Sequence, residues 1–268
     1  MKREITGRGR VKSPPVQRVL ENRMAKTMGY MIEQIGQRVE NQSIKKLNKS
    51  TVKKFEDKQS GNYANVFLGL SKEVRAKIKA QFSDDRIEAF IDEILMEADK
   101  ANAGSIYSTI EQKIGISKKE LMATEGLTFQ LNALRTESKL WLVEQRDDAI
   151  NYFVNTALRN MATGESLESI IEKHHANTKN RKDHAKFVAR QQMSTYNSLA
   201  TKLRADNLGI KQAKWVTARD NRVRQSHIDR NGETFDLSSG LFSWTDGKHL
   251  LPGIDFGCRC GYDLIIPE

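Results

Sequence analysis

Cysteine is almost missing from this chain. Cys258 and Cys260 are the only two, one residue apart. Such a pair offers no disulfide framework, so a disulfide-stapled secreted scaffold is excluded. Long apolar runs are also missing. No stretch approaches the roughly 18 uninterrupted apolar residues of a membrane-spanning helix, so no membrane partner is expected. The charged opening, Met1 to Arg10, leads into no apolar segment, and no secretory signal is expected there. Apolar residues make up 38% of the chain, lean for a compact globule, while 29% of residues are charged. That balance suits long helices exposed on one side, or a subunit whose core is completed by partners. Internal repeats and strong low-complexity runs are lacking too.

What is present is charge and helical periodicity. The formal net charge is +10 over 268 residues. A sum this basic favours polyanionic partners, whether nucleic acid, a membrane surface or an acidic protein surface, although a merely soluble basic protein has the same sum. The length allows two modest domains, or one core with an appendage.

The first 15 residues carry Lys2, Arg3, Arg8, Arg10 and Lys12 against one acid, Glu4, and end in Pro14-Pro15. They read as a flexible basic arm, either solvated or docked on phosphates or a neighbouring subunit. Residues 16–65 read as a long amphipathic helix and a linker. The helix spans Val16 to Leu47, with Leu20, Met24, Met28, Ile32, Ile35 and Val39 on one face. That methionine-rich seam is narrow and calls for a partner helix. The linker runs from Lys49 to Asn65.

Residues 66–209 read as a helical domain. Ser71 is placed as one N-cap, and Ser83 or Asp84 as the next. A further helix is expected from Ser105 to Ile114. From Ser117 a long pattern carries Leu121, Leu127, Leu131, Leu134, Leu140 and Trp141, then Ile150, Phe153, Val154 and Leu158, with a break at Gly164. A short helix from Ser166 to His175 and another from Asp183 to Asn207 complete it. His174-His175 and the basic run Lys179 to Lys186 read as solvated helix surface rather than a metal site or a DNA contact.

After Gly209 the pattern changes. Ile210 to Ala218 alternates around Trp215 like a strand, and short β-like pieces follow at Thr234 to Leu237, Leu241 to Trp244 and Tyr262 to Ile266. Turns are marked by Asp220-Asn221, Asn231-Gly232, Asp246-Gly247 and Pro252-Gly253. The expected fold class is therefore α+β: mainly long α-helices in the N-terminal two thirds, with a small loop-rich β unit at residues 210–268. A unit this small needs a staple, or the preceding helices to lean on.

Two readings of that unit's chemistry stand side by side. His227, Asp255, Cys258 and Cys260 offer the imidazole, carboxylate and thiolates of a tetrahedral zinc site, with His249 in reserve. Equally, the two cysteines are small buried residues and His227 a hydrogen-bonded turn histidine. Asp220 is placed as a turn former. Arg222 and Arg224 are either its local ion-pair partners or contacts to partner carboxylates or DNA phosphates. Zinc is the one cofactor this set suggests.

The order Trp215, Asp220, Arg222, Arg224, His227, Asn231-Gly232, Pro252 and Cys258-Arg259-Cys260 resembles the C-terminal signature of the Mu F-like phage head morphogenesis family. Upstream, Ala189-Arg190-Gln191-Gln192, Tyr196-Asn197 and Gly209 resemble the same family. Gln192 stands where members usually have Glu, and Asp255 where many have His. The likeness covers roughly Ser166 to Ile266. It implies a structural minor head protein of a tailed bacteriophage that binds the portal protein and other head proteins, packaged DNA, or both, during head morphogenesis and DNA delivery. Its place would be the virion head near the portal vertex, with assembly in host cytoplasm. Trp215, Asp220, Arg222, Arg224 and Arg259 would be its structural and interaction residues. The competing reading is an enzyme, a metal-dependent nuclease or transferase in the C-terminal unit. Against it, the sequence offers no second carboxylate set and no nucleophile–base–orienter series. No enzymatic activity is expected. A plain DNA-binding module lacks a recognition-helix or stacking-aromatic signature.

Overall fold

The computed structural model describes residues 5–46, 60–243 and 247–268. Lys2 and Arg3 of the basic arm, most of the linker, and Trp244 and Asp246 lie outside the described residues. The fold is α+β, with long helices first and small antiparallel strands at the C-terminal end. Helix α1 spans Arg18–Val39 and runs into a π-helical turn, Glu40–Ile44. Then follow α2 (Ser60–Gln81), α3 (Asp84–Ile114), α4 (Lys118–Ala123), α5 (Thr128–Ala162) and α6 (Leu167–Asn207). None of the described helices is long and apolar enough to cross a membrane.

The predicted seam of α1 is buried at all six positions, Leu20 through Val39. Several expected breaks are absent. Ser71 caps nothing, since it lies buried inside α2. The stretch from Ser105 continues α3, which has 31 residues. The helices expected on either side of 176–182 form one element, α6, with 41 residues. The basic run between them holds no proline or glycine, so nothing there stops helical hydrogen bonding. Ser83 and Ser166 do act as caps, accepting from the backbone N–H of Arg86 at 3.4 Å and of Ser169 at 3.2 Å. On α5 the apolar face passes through Leu131, Ser138, Leu142 and Ala149, which leaves Leu140 exposed.

The chain folds into two compact units. The first comprises Met1–Asn22, Asp92–Glu137 and Val188–Glu268; the second comprises Arg23–Ile91 and Ser138–Phe187. The contiguous divisions expected at 15, 65 and 209 differ from these, because long helices supply segments to both units. Within the second unit, Gly36 lets α1 approach α6 closely. A Cβ there would lie 2.6 Å from Thr178 Oγ1. Arg146 of α5 is buried and holds the α2–α3 corner, donating to the Phe82 carbonyl at 2.7 Å and to Asp84 at 2.6 Å.

The first unit contains the sheet. Its strand order is β1 (Arg10–Val11), β6 (Gly261–Ile265), β2 (Gln212–Val216) and β3 (Thr234–Asp236), all antiparallel. A separate hairpin joins β4 (Leu241–Ser243) and β5 (Lys248–Leu250). The segment read as a flexible arm is thus an edge strand from Arg10. Ile5 and Val11 are buried, and the N–H of Gly7 donates to the Pro267 carbonyl at 2.8 Å. Its charge obscured these two apolar anchors. Arg8, Arg10 and Lys12 remain exposed.

Alternation along β2 and β6 turns Ala213, Trp215, Tyr262 and Leu264 to one face. They pack on Ala103, Ile106, Tyr107 and Ile110 of α3 and on Ala205 of α6. The small β unit therefore leans on helices for its core. Arg204, fully buried near the end of α6, binds Asp99 and Asn102 of α3 at 2.8 Å each and Glu125 at 2.6 Å. These partners offset the cost of burying its charge.

Candidate metal centre

His227 lies on α7 (Gln225–Ile228), a single turn inserted between β2 and β3. The excursion is closed by a turn at Asn231-Gly232. There the Gly232 N–H reaches the Trp215 carbonyl at 2.9 Å, and Asn231 Oδ1 accepts from the Thr217 N–H at 3.1 Å. The imidazole sits edge-on to Trp215 with ring centroids 5.5 Å apart, and is 2% exposed.

Cys258 and Cys260 approach from the segment before β6, both buried and unbridged. Three side chains of α6 hold that segment. Gln191 donates to the Ile254 carbonyl and accepts from the Gly257 N–H, at 2.8 and 2.7 Å. Ser194 donates to the Cys258 carbonyl at 3.3 Å, and Ser198 to the Pro252 carbonyl at 2.7 Å. Tyr262 adds a 2.5 Å bond to the Ser198 carbonyl.

The result brings three of the four expected ligands together. Ligand atoms of His227, Cys258 and Cys260 lie within 4.8 Å of one another. Nδ1 of His227 is 3.5 Å from Cys258 Sγ and 3.6 Å from Cys260 Sγ. The Gly253 N–H also points at Cys258 Sγ, at 3.3 Å. The Cys260 thiol, outweighing burial, pulls the Cys258 thiol well below its usual range, helped by His227 and the backbone N–H groups of Cys260 and Gly253. Cys260 is pushed up by its hydrogen bond to Cys258, by burial and by the charge on Cys258.

Asp255 stands on the other side of the ring. Its Oδ2 is 3.8 Å from His227 Nε2, and Nε2 has no closer hydrogen-bond partner among the described residues. Arg224 binds the same carboxylate and the Phe256 carbonyl, and Lys248 lies 3.6 Å from Oδ1. His249 sits on β5, edge-on to Phe242, outside the group.

The remaining predicted residues form a second cluster beside the first. Arg259 chelates Asp220 with both terminal nitrogens, and Asp220 Oδ1 also accepts from the Arg222 N–H at 3.0 Å. These interactions hold the Asp220 carboxyl below the usual range, Arg259 contributing most. Asp220 is thus the turn former expected, but its main ion-pair partner is Arg259, while Arg224 serves Asp255. A cleft of about 560 Å3 adjoins this pair, lined by Arg18, Arg190, Arg222 and Arg259 with Glu21 and Asp220.

Residues 152–262 match the family model described as Phage Mu protein F like protein. This part of the chain resembles the Mu F-like proteins. The matched segment takes in α6 with its clamp on the cysteine loop, His227 and both cysteines. A Haemophilus influenzae protein, described as uncharacterized, is 27% identical over 203 residues, which cover 74% of this chain and 44% of that protein. The chain thus spans less than half the length of that relative. No solved structure matches.

Gln191, Ser194 and Ser198 were not singled out in the sequence as site residues. Their spacings of three and four put them on one helix face, but nothing in the helix itself shows what that face holds.

Proposed function

We propose that this chain is a structural minor head protein of a tailed bacteriophage, acting by binding at the portal vertex, on packaged DNA, or on both, during head morphogenesis and DNA delivery. The match over residues 152–262 carries the reading. Two features support it further. The net charge of +10 suits a polyanionic neighbour. Arg8, Arg10 and Lys12 stay exposed along the edge strand, where phosphates can reach them. Its location would be the virion head, with assembly in host cytoplasm.

The test is co-expression with the portal protein of the same phage, then isolation of the portal ring. Co-purification in reducing buffer is the expected result. Purified chain should also retain labelled duplex DNA without cutting it. Retention should fall with salt at a log–log slope of about −0.9 per phosphate neutralised. Portal rings that never carry the chain, or cleavage of the duplex with divalent metal, would overturn the reading.

A further inference from the structure

We propose that His227, Cys258 and Cys260 bind one zinc ion through Nδ1 and the two sulfurs, and that Asp255 is not a ligand but the carboxylate that orients the imidazole. The inference stands whether or not the head-protein reading does.

Geometry carries it. Zinc bonds of about 2.3 Å to sulfur and about 2.0 Å to nitrogen, at a tetrahedral angle, place nitrogen and sulfur about 3.5 Å apart. The observed separations from Nδ1 are 3.5 and 3.6 Å. One imidazole lone pair serves a single S–H donor along its axis, whereas both sulfurs stand at nearly the same distance from it. A cation between the three atoms satisfies all of them. The group is buried, and the sulfurs are not joined to each other. A cavity of about 30 Å3 adjoins the three residues, bounded also by Arg222, Arg224 and Arg259. That is room for one water in the fourth position.

The orientation of the ring explains Asp255. With Nδ1 turned to the sulfurs, Nε2 faces the Asp255 carboxylate at 3.8 Å. Metal-bound histidines commonly give their second N–H to a carboxylate, which fixes tautomer and ring angle. Arg224 and Lys248 pin that carboxylate in turn. Asp255 is a positioning residue in this arrangement. The ion would tie the turn carrying His227 to the segment entering β6, two places far apart in sequence.

The full chain, purified under a reductant that does not bind zinc, is analysed for metal and titrated with cobalt(II). One equivalent of zinc is expected, and cobalt should produce a thiolate-to-metal charge-transfer band. His227→Gln, Cys258→Ser and Cys260→Ser should each abolish the band, with helical content checked by circular dichroism. Asp255→Asn should keep one equivalent and the band while weakening metal affinity about 10–100-fold. Folded wild-type chain with neither zinc nor a cobalt band overturns the site, and that result needs no variant. Complete loss of the band in folded Asp255→Asn overturns its role as a positioning residue and makes it a ligand.

Discussion

His174 shows how one buried ring sets an acid limit on stability. Its Nε2–H donates to the Gly36 carbonyl at 2.8 Å, and the ring packs on Phe153 with centroids 4.9 Å apart. Burial lowers its pKa below the ordinary 6.5; the hydrogen bond and Glu40 act the other way but less strongly, and neighbouring His175 adds to the lowering. The folded chain therefore keeps the ring neutral while the unfolded chain takes up a proton. Its contribution is complete above about 6.5 and is lost as pH falls below that value. The melting temperature should drop as pH is lowered from about 7 to about 5, and His174→Gln should flatten that limb. At Gly253, φ is +87°, and a Cβ would meet Ser194 Oγ at 3.0 Å and the Cys260 carbonyl at 3.2 Å. Gly253→Ala should cost about 1–2 kcal/mol from the left-handed backbone alone, read as a lower midpoint in urea. The residue types of the candidate centre were legible, since few other groups offer two thiols and an imidazole. Which ring nitrogen faces the sulfurs was not, because it depends on how α7 enters from β2.

At the level of elements, α6 decides how the cysteine loop is held, because Gln191, Ser194 and Ser198 act only if the helix keeps its phase. Asn180 is exposed in the basic run of that helix. Asn180→Pro should destabilise the protein by about 3 kcal/mol or more and lower helical content, while Asn180→Ala should do neither; thermal melts followed by circular dichroism compare them. The seam of α1 was legible because six apolar residues repeat without interruption. Helix ends were less so. Ser71 and Ser105 resemble starts, yet caps work only where the preceding chain leaves the helix, and here it does not. On α5, Leu140 resembled core by type, but the periodic face passes through Ser138 and Leu142. Strand β1 has two residues and a partner about 250 residues away, so no local pattern announces it.

For the molecule as a whole, β1 matters more than its length suggests. Removing residues 1–12 should uncover one edge of β6 and delete Ile5 and Val11 from the core of the first unit. At about 1.5–3 kcal/mol for each buried side chain, the loss is roughly 3–6 kcal/mol, measurable as a shift in the unfolding midpoint. Glutamine substitution of the exposed Arg8 and Arg10 should leave stability almost unchanged, which separates the strand's packing role from its charge. The pairing of Arg10–Val11 with Leu264 and Ile265 also orders events in time. A ribosome delivers the edge strand before its central neighbour, with some 250 residues of synthesis between them. Until β6 emerges, β2 lacks one partner, β1 lacks the strand it pairs with, and the two cysteines remain apart from the imidazole. This half of the molecule cannot mature until β6 has been made and meets β1.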